Sequence, residues 1–142
     1  MLLINNIAVS TMKLVLTNPP TGILQTTPQT GLHLLDLQDK RIVCDSSVVN
    51  LFIENCSNTK IFIPGSIYSK VEVLRSEDCT VVTTGSVYLA TFDFVSGFSL
   101  LHNFGYMSRQ NVDSYITSSI DITINQTKLT DMMFGSSGYT LQ

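Results

Sequence analysis

Ile61-Phe62-Ile63-Pro64-Gly65-Ser66-Ile67-Tyr68 returns 20 residues later as Val81-Val82-Thr83-Thr84-Gly85-Ser86-Val87-Tyr88. The preceding stretches superpose at the same offset, Ile53 on Val73 and Asn58 on Asp78, and Gly105 continues the glycine spacing. A fixed period of about 20–50 residues marks a repeat architecture. Two or three strands of four to five residues plus corners use up such a length. Each winding can then bond to the next at about 4.8 Å. The recurring glycine marks a corner that needs a left-handed backbone or leaves no room for a Cβ.

Working outward, the rungs run 31–50, 51–70, 71–90, 91–110 and 111–127. Apolar alternation within them reads as strands: Leu51/Ile53, Ile61/Ile63, Val71/Val73, then Ile120/Ile122/Ile124 with Asp121 and Thr123 outward. β-branched residues dominate, as a pleated, half-buried surface prefers. No sustained 3.6-residue stripe occurs. The expected fold is all-β, a right-handed parallel β-helix of about five rungs. Ile53 should lie over Val73, and Ile61 over Val81 over Leu101. Evenly spaced strands also occur in β-sandwiches, but a sandwich does not need like residues at a constant offset.

Three segments follow. Residues 1–30 carry two turn signals, Asn18-Pro19-Pro20-Thr21-Gly22 and Thr26-Thr27-Pro28-Gln29-Thr30-Gly31. They read as one strand near Lys13 to Leu16 and an irregular cap over one end of the solenoid. Residues 31–127 are the β-helix and 128–142 a tail.

Composition narrows the function. Of the 142 residues 44% are hydrophobic but only 13% charged, about half the usual share. Part of the surface must be uncharged polar or apolar, which suits polar ladders or a face hidden in an assembly. Net charge is −3, with Lys and Arg scattered singly, so no phosphate-binding stripe is present and nucleic acid is not expected. Cys44, Cys56 and Cys79 form no Cys-x-x-Cys pair and read as buried, reduced thiols. The apolar start lacks the leading charge of a signal peptide, and no apolar run reaches the length of a membrane span. Asn55-Cys56-Ser57 has the spelling of a glycosylation site, a triplet that chance supplies in an Asn- and Ser-rich chain.

Written as rungs, the chain resembles a known family. Val49-Asn50-Leu51-Phe52-Ile53-Glu54-Asn55-Cys56-Ser57-Asn58-Thr59-Lys60-Ile61-Phe62-Ile63-Pro64-Gly65-Ser66 follows its spelling of apolar strand, Asn/Cys turn, apolar strand and glycine. Val71-Glu72-Val73 and Asp78-Cys79-Thr80-Val81-Val82 repeat it, and Val112 to Ile124 is similar to its last rungs. This is the cofactor-C-like domain of tubulin-binding cofactor C, its ciliary relative, and the C-terminal half of cyclase-associated protein. The resemblance covers about residues 32–125. It implies a β-helix in a cytoskeletal or small-GTPase setting in the cytoplasm, with tubulin, actin or an Arf-like GTPase as partner. GTPase-activating members insert an arginine that stabilises charge on the transferring phosphoryl group. Its place here falls at or beside Leu89, with no basic residue between Arg75 and His102. Actin-binding members end in a strand-swapped dimerisation tail, unlike Gly135-Ser136-Ser137-Gly138-Tyr139-Thr140-Leu141-Gln142.

No catalytic constellation emerges from the residues. His33 and His102 fall in different rungs, too far apart to share a proton, and read as surface or corner residues. Glu72, Glu77, Asp78 and Asp93 allow a carboxylate pair on adjoining rungs, but turn acids accepting backbone hydrogen bonds explain them as well. No metal-ligand spacing and no cofactor motif appears. Tyr68 and Tyr88 hold equal places in adjoining rungs, with Tyr106 close to the next. As an outward ladder they would be a docking surface, as an inward one core. Phe92, Phe94, Phe98 and Phe104 form either a wide rung interior or a contact patch. The sequence thus leads to a non-enzymatic binding or structural module, with Tyr68, Tyr88, Lys70 and Arg75 as the partner-binding residues. Alternatives are an actin-monomer-binding protein, a GTPase-activating protein using Arg75, and a structural β-solenoid subunit of a viral or secreted assembly.

Overall fold

Every winding keeps the same order of inward side chains. In one it is Val71, Val73, Ser76, Cys79 and Val81; in the next, Ala90, Phe92, Val95, Phe98 and Leu100; in the last, Ser114, Ile116, Ser119, Ile122 and Ile124. The spacing is two, three, three, two. A straight strand would alternate strictly by two. Both three-residue steps contain a residue at positive φ: Arg75 and Asp78, Phe94 and Gly97, Ser118 and Asp121. Each such residue turns the chain about one corner and shifts the phase of the alternation.

The computed structural model describes residues 12–18, 22–102, 112–125 and 127–129. Among them no helix occurs. The strands are β1 (Met12–Leu16), β2 (Ile23–Leu24), β3 (Thr30–Leu35), β4 (Arg41–Cys44), β5 (Val48–Glu54) and β6 (Lys60–Ile63). They continue as β7 (Ile67–Thr83), β8 (Leu89–Leu101), β9 (Asp113–Thr117), β10 (Ile120–Ile124) and β11 (Thr127–Leu129). One face stacks β1, β3, β5, the first half of β7, the first half of β8 and β9 in parallel. The opposite face stacks β2, β4, β6, the second halves of β7 and β8, and β10. A narrow third face joins them, where Gln38, Ser57, Glu77, Ser96 and Ile120 pair in turn. This is the expected parallel β-solenoid of about five turns, with the right-handed crossover that parallel strands in one sheet adopt.

The period is less regular than the glycines imply. Met12 lies over Thr30 and Gly31 over Asn50, steps of 18 and 19, whereas Lys60 lies over Thr80, a step of 20. Val71 lies over Ala90, again 19, so Val81 is covered by Leu100 and not by Leu101. Leu100 is buried and Leu101 only half-buried, as a one-residue slip demands. Ile53 does lie over Val73 and Ile61 over Val81. The last step lengthens to 24, Leu89 over Asp113. The added residues fall between Leu101 and Asp113, a stretch containing Phe104, Gly105 and Tyr106, which lie outside the described residues.

Three further expectations change. Residues 12–30 do not form an irregular cap: β1 and β2 pair in parallel with β3 and β4 as another winding. At the other end β11 folds back antiparallel on β10, which ends the parallel stack at that edge. Ile120 points outward, 56% exposed, while Ile122 and Ile124 are buried, because Ser118 and Asp121 at positive φ separate it from both runs of alternation.

Gly65 and Gly85 are not at positive φ; they serve close approach. A Cβ on Gly65 would meet Ser47 Oγ, and one on Gly85 would meet Ser66 Oγ and lie 2.7 Å from the Gly65 carbonyl carbon. The serines in turn receive the next winding's amide: Ser66 N donates to Ser47 Oγ at 3.0 Å and Ser86 N to Ser66 Oγ at 2.9 Å.

Inside, the column Leu32, Leu51, Val71, Ala90, Ser114 shrinks along the axis as Phe92 and Phe98 fill the interior, their ring centroids 5.2 Å apart. Ser114 is fully buried and its hydroxyl has no partner among the described residues. Ser114→Ala, which matches Ala90 beneath it, is therefore expected to stabilise the fold by about 1 kcal/mol by removing an unsatisfied polar group. Thermal denaturation should show a rise of about 3 °C, and a fall would mean that the hydroxyl is bonded.

Candidate functional site

After the Gly-Ser corner, the chain enters the first face with Ile67 and Val87 paired and buried. Alternation then turns the following residues outward. Tyr68 and Tyr88 stand in adjoining windings, 53% and 52% exposed, about one inter-strand spacing of 4.8 Å apart. The tyrosines are an outer pair and not core. Lys70 follows on the same face, its ammonium 3.3 Å from Glu72. Both side chains are largely solvated, so the pair adds little to stability.

Lys70 and Glu72 border a hollow of about 340 Å³ that also takes in Lys13, Asn50, His33 and Phe52. His33 and Phe52 stack in register, centroids 4.4 Å apart and nearly parallel. His33 Nε2 lies 3.0 Å from Glu54 Oε1, and the Arg75 guanidinium donates to Glu54 Oε2 at 3.2 Å. One carboxylate thus ties three successive windings. The result is a rigid face with an aromatic edge, an apolar floor and two lysines at its rim.

Of the four sequence-predicted residues, Tyr68, Tyr88 and Lys70 come together. Arg75 does not join them. It lies five positions beyond Lys70, about 16 Å along the strand, at the corner where β7 leaves the first face. The sequence reading missed His33, Phe52 and Glu72 as companions of the tyrosines. Their signal was present, since they recur at steps of 19 and 20 in the outward phase of β3, β5 and β7.

The acids do not gather. Glu72 is on the first face; Glu77 and Asp78 are exposed past the corner; Asp93 lies opposite Leu74. Among the described residues no group of His, Cys, Asp or Glu is placed to hold a metal ion. The three cysteines are free and buried, and desolvation pushes Cys44 and Cys79 each up to about 11, leaving poor nucleophiles. No described helix is long and apolar enough to cross a membrane.

His102 departs from the expected surface or corner position. It is 3% exposed, and burial holds its imidazole below the ordinary value of 6.5. The unfolded chain takes up this proton first as pH falls, so the contribution is complete above about pH 6.5 and is lost on further acidification. Melting temperature should therefore drop between pH 7.5 and 5.5 more in the native chain than in His102→Gln. Equal slopes would remove His102 from the pH dependence.

With this geometry in view, comparison with known proteins yields a structural likeness. The crystal structure of cyclase-associated protein from Cryptosporidium parvum superposes with a TM-score of 0.68 at 16% identity, covering 87% of this chain and 80% of that one. No protein-family model and no curated protein sequence matches the chain. At this identity the likeness establishes the fold: this solenoid is of the type seen in cyclase-associated protein.

Proposed function

We propose that the chain is a non-enzymatic protein-binding module of the cyclase-associated-protein kind, acting in the cytoplasm on the cytoskeleton with monomeric actin as its partner. The observation that carries this reading is the exposed tyrosine pair on a rigid face. Tyr68 and Tyr88 offer large amphipathic surfaces with few rotatable bonds, and Tyr is favoured where protein interfaces concentrate their energy. Lys70 and Lys13 at the rim suit an acidic partner surface. The fold shared with cyclase-associated protein and the low overall charge support the same reading.

The test is nucleotide exchange on monomeric actin with the purified chain. A saturable effect at micromolar protein is expected, weakened at least tenfold by the double substitution Tyr68→Ser, Tyr88→Ser. No effect at that concentration removes actin. Tubulin and Arf-like GTPases are then assayed in the same way, and loss of a GTPase response on Arg75→Ala would point to Arg75 as the contact there.

A further inference from the structure

The narrow third face carries an open groove of about 740 Å³ along the solenoid axis, at the opposite end of the first-face strands from the tyrosine edge. One wall is the column of positive-φ residues Asp36, Asn55, Arg75, Phe94 and Ser118. The other begins at Gln38 and ends at Ile120, with Glu77 between. Five windings at about 4.8 Å make it about 19 Å long, the reach of some six residues of extended chain.

Two features of this groove are costly to the fold. Phe94 is at φ 55 and 60% exposed. A bulky residue there is an outlier, where Asn, Asp and Gly are at ease, and the equivalent places below hold Asp36 and Asn55, joined by a 2.8 Å hydrogen bond. Beside it Ile120 is 56% exposed. Strain combined with apolar exposure gathers at contact sites, where binding offsets it. The charges are also one-sided. Arg75 is directed at Glu54, 3.2 Å away, whereas Asp36 and Glu77 face the groove with only the neutral Asn55 amide given to Asp36. The backbone at this corner is already used between windings: Ser57 N donates to Leu37 O, Glu77 N to Cys56 O and Asp39 N to Ser57 O. An added strand would find few free partners, so an occupant must be held by its side chains.

We infer that this groove is a second docking site, distinct from the tyrosine face, for an extended basic and apolar segment of another protein. An apolar side chain seats against Phe94 and Ile120. A basic residue about two positions away meets Glu77, and a second about four to six positions away meets Asp36.

The test uses a randomised octapeptide phage library panned on the intact chain, followed by fluorescence anisotropy on a labelled peptide of the enriched sequence. Enrichment of an apolar residue with basic residues at those spacings is expected. Affinity should fall at least tenfold in Phe94→Asn, several-fold in Glu77→Gln, and with added salt, but stay unchanged in Tyr68→Ser, Tyr88→Ser. Asn tolerates the left-handed backbone, so the Phe94 variant keeps the fold, and circular dichroism verifies it. No enrichment, enrichment of acidic peptides, or binding that survives Phe94→Asn overturns the proposal. Loss of binding in the tyrosine variant would place the peptide on the first face and overturn it equally. An actin result of either sign leaves this outcome independent.

Discussion

Gly85→Ala is expected to destabilise the protein by about 3 kcal/mol, toward the upper end for an overpacked interior. A methyl on Gly85 would lie 2.7 Å from the Gly65 carbonyl carbon and 2.8 Å from its oxygen. Those atoms belong to the backbone of the winding below. The two glycines are also joined directly, since Gly85 N donates to Gly65 O at 2.8 Å. A flexible side chain could swing aside, but here one winding would have to lift off another. Neighbouring bonds, such as Ser86 N to Ser66 Oγ, would lengthen with it. For a chain of 142 residues the loss corresponds to a fall in melting temperature of about 10 °C. Adding Ser66→Ala should recover only part of the loss, because the Gly65 backbone remains in the way. Urea titration of both variants measures this. A Gly85→Ala protein within about 0.5 kcal/mol of the native chain would show that the windings are not in contact at this corner.

Phe92→Ala should cost about 3–5 kcal/mol, as large as any side-chain truncation in the molecule. Phe92 is 1% exposed and its ring meets Phe98 at 5.2 Å and 58°. The alanine would leave a cavity bounded by rigid ladders above and below, which collapse poorly. Phe94 supplies the contrast. It lies two residues along the same strand, and Phe94→Asn is expected to leave stability unchanged or raise it by up to about 1 kcal/mol, through relief of the left-handed strain. Chemical denaturation of the pair decides the matter. Equal destabilisation by both would mean that Phe94 packs in the core, and the proposed groove would go with it.

That contrast also shows how far the residues could be read without coordinates. The stacking of windings was legible because a parallel stack requires like side chains above like. Ile53 over Val73 and Ile61 over Val81 follow from the repeat alone. Tyr68 and Tyr88 were legible as an equivalent pair, though not as an outward one. Strict alternation would place Phe94 inside with Ala90 and Phe92, and Ile120 inside with Ile122 and Ile124. Both point outward because corners at positive φ shift the phase, and a phenylalanine at such a corner carries no local mark of it. Asp36, Asn55, Asn58 and Asp78 at equivalent corners do carry one, since their short polar side chains tolerate that backbone.

Local pattern therefore determined the class of this protein: parallel β-windings, β-branched inward columns, little charge outside and glycine-serine corners. It determined these because period and polarity are properties of neighbours along the chain. The tertiary structure alone decided which residue of each winding lies over which, where the added residues of the last step enter, and that Arg75 is separated from the tyrosine face. Those outcomes depend on contacts between residues 18 to 24 positions apart. A single left-handed residue at a corner reverses the facing of everything in register beyond it, and only the assembled stack shows where that happens.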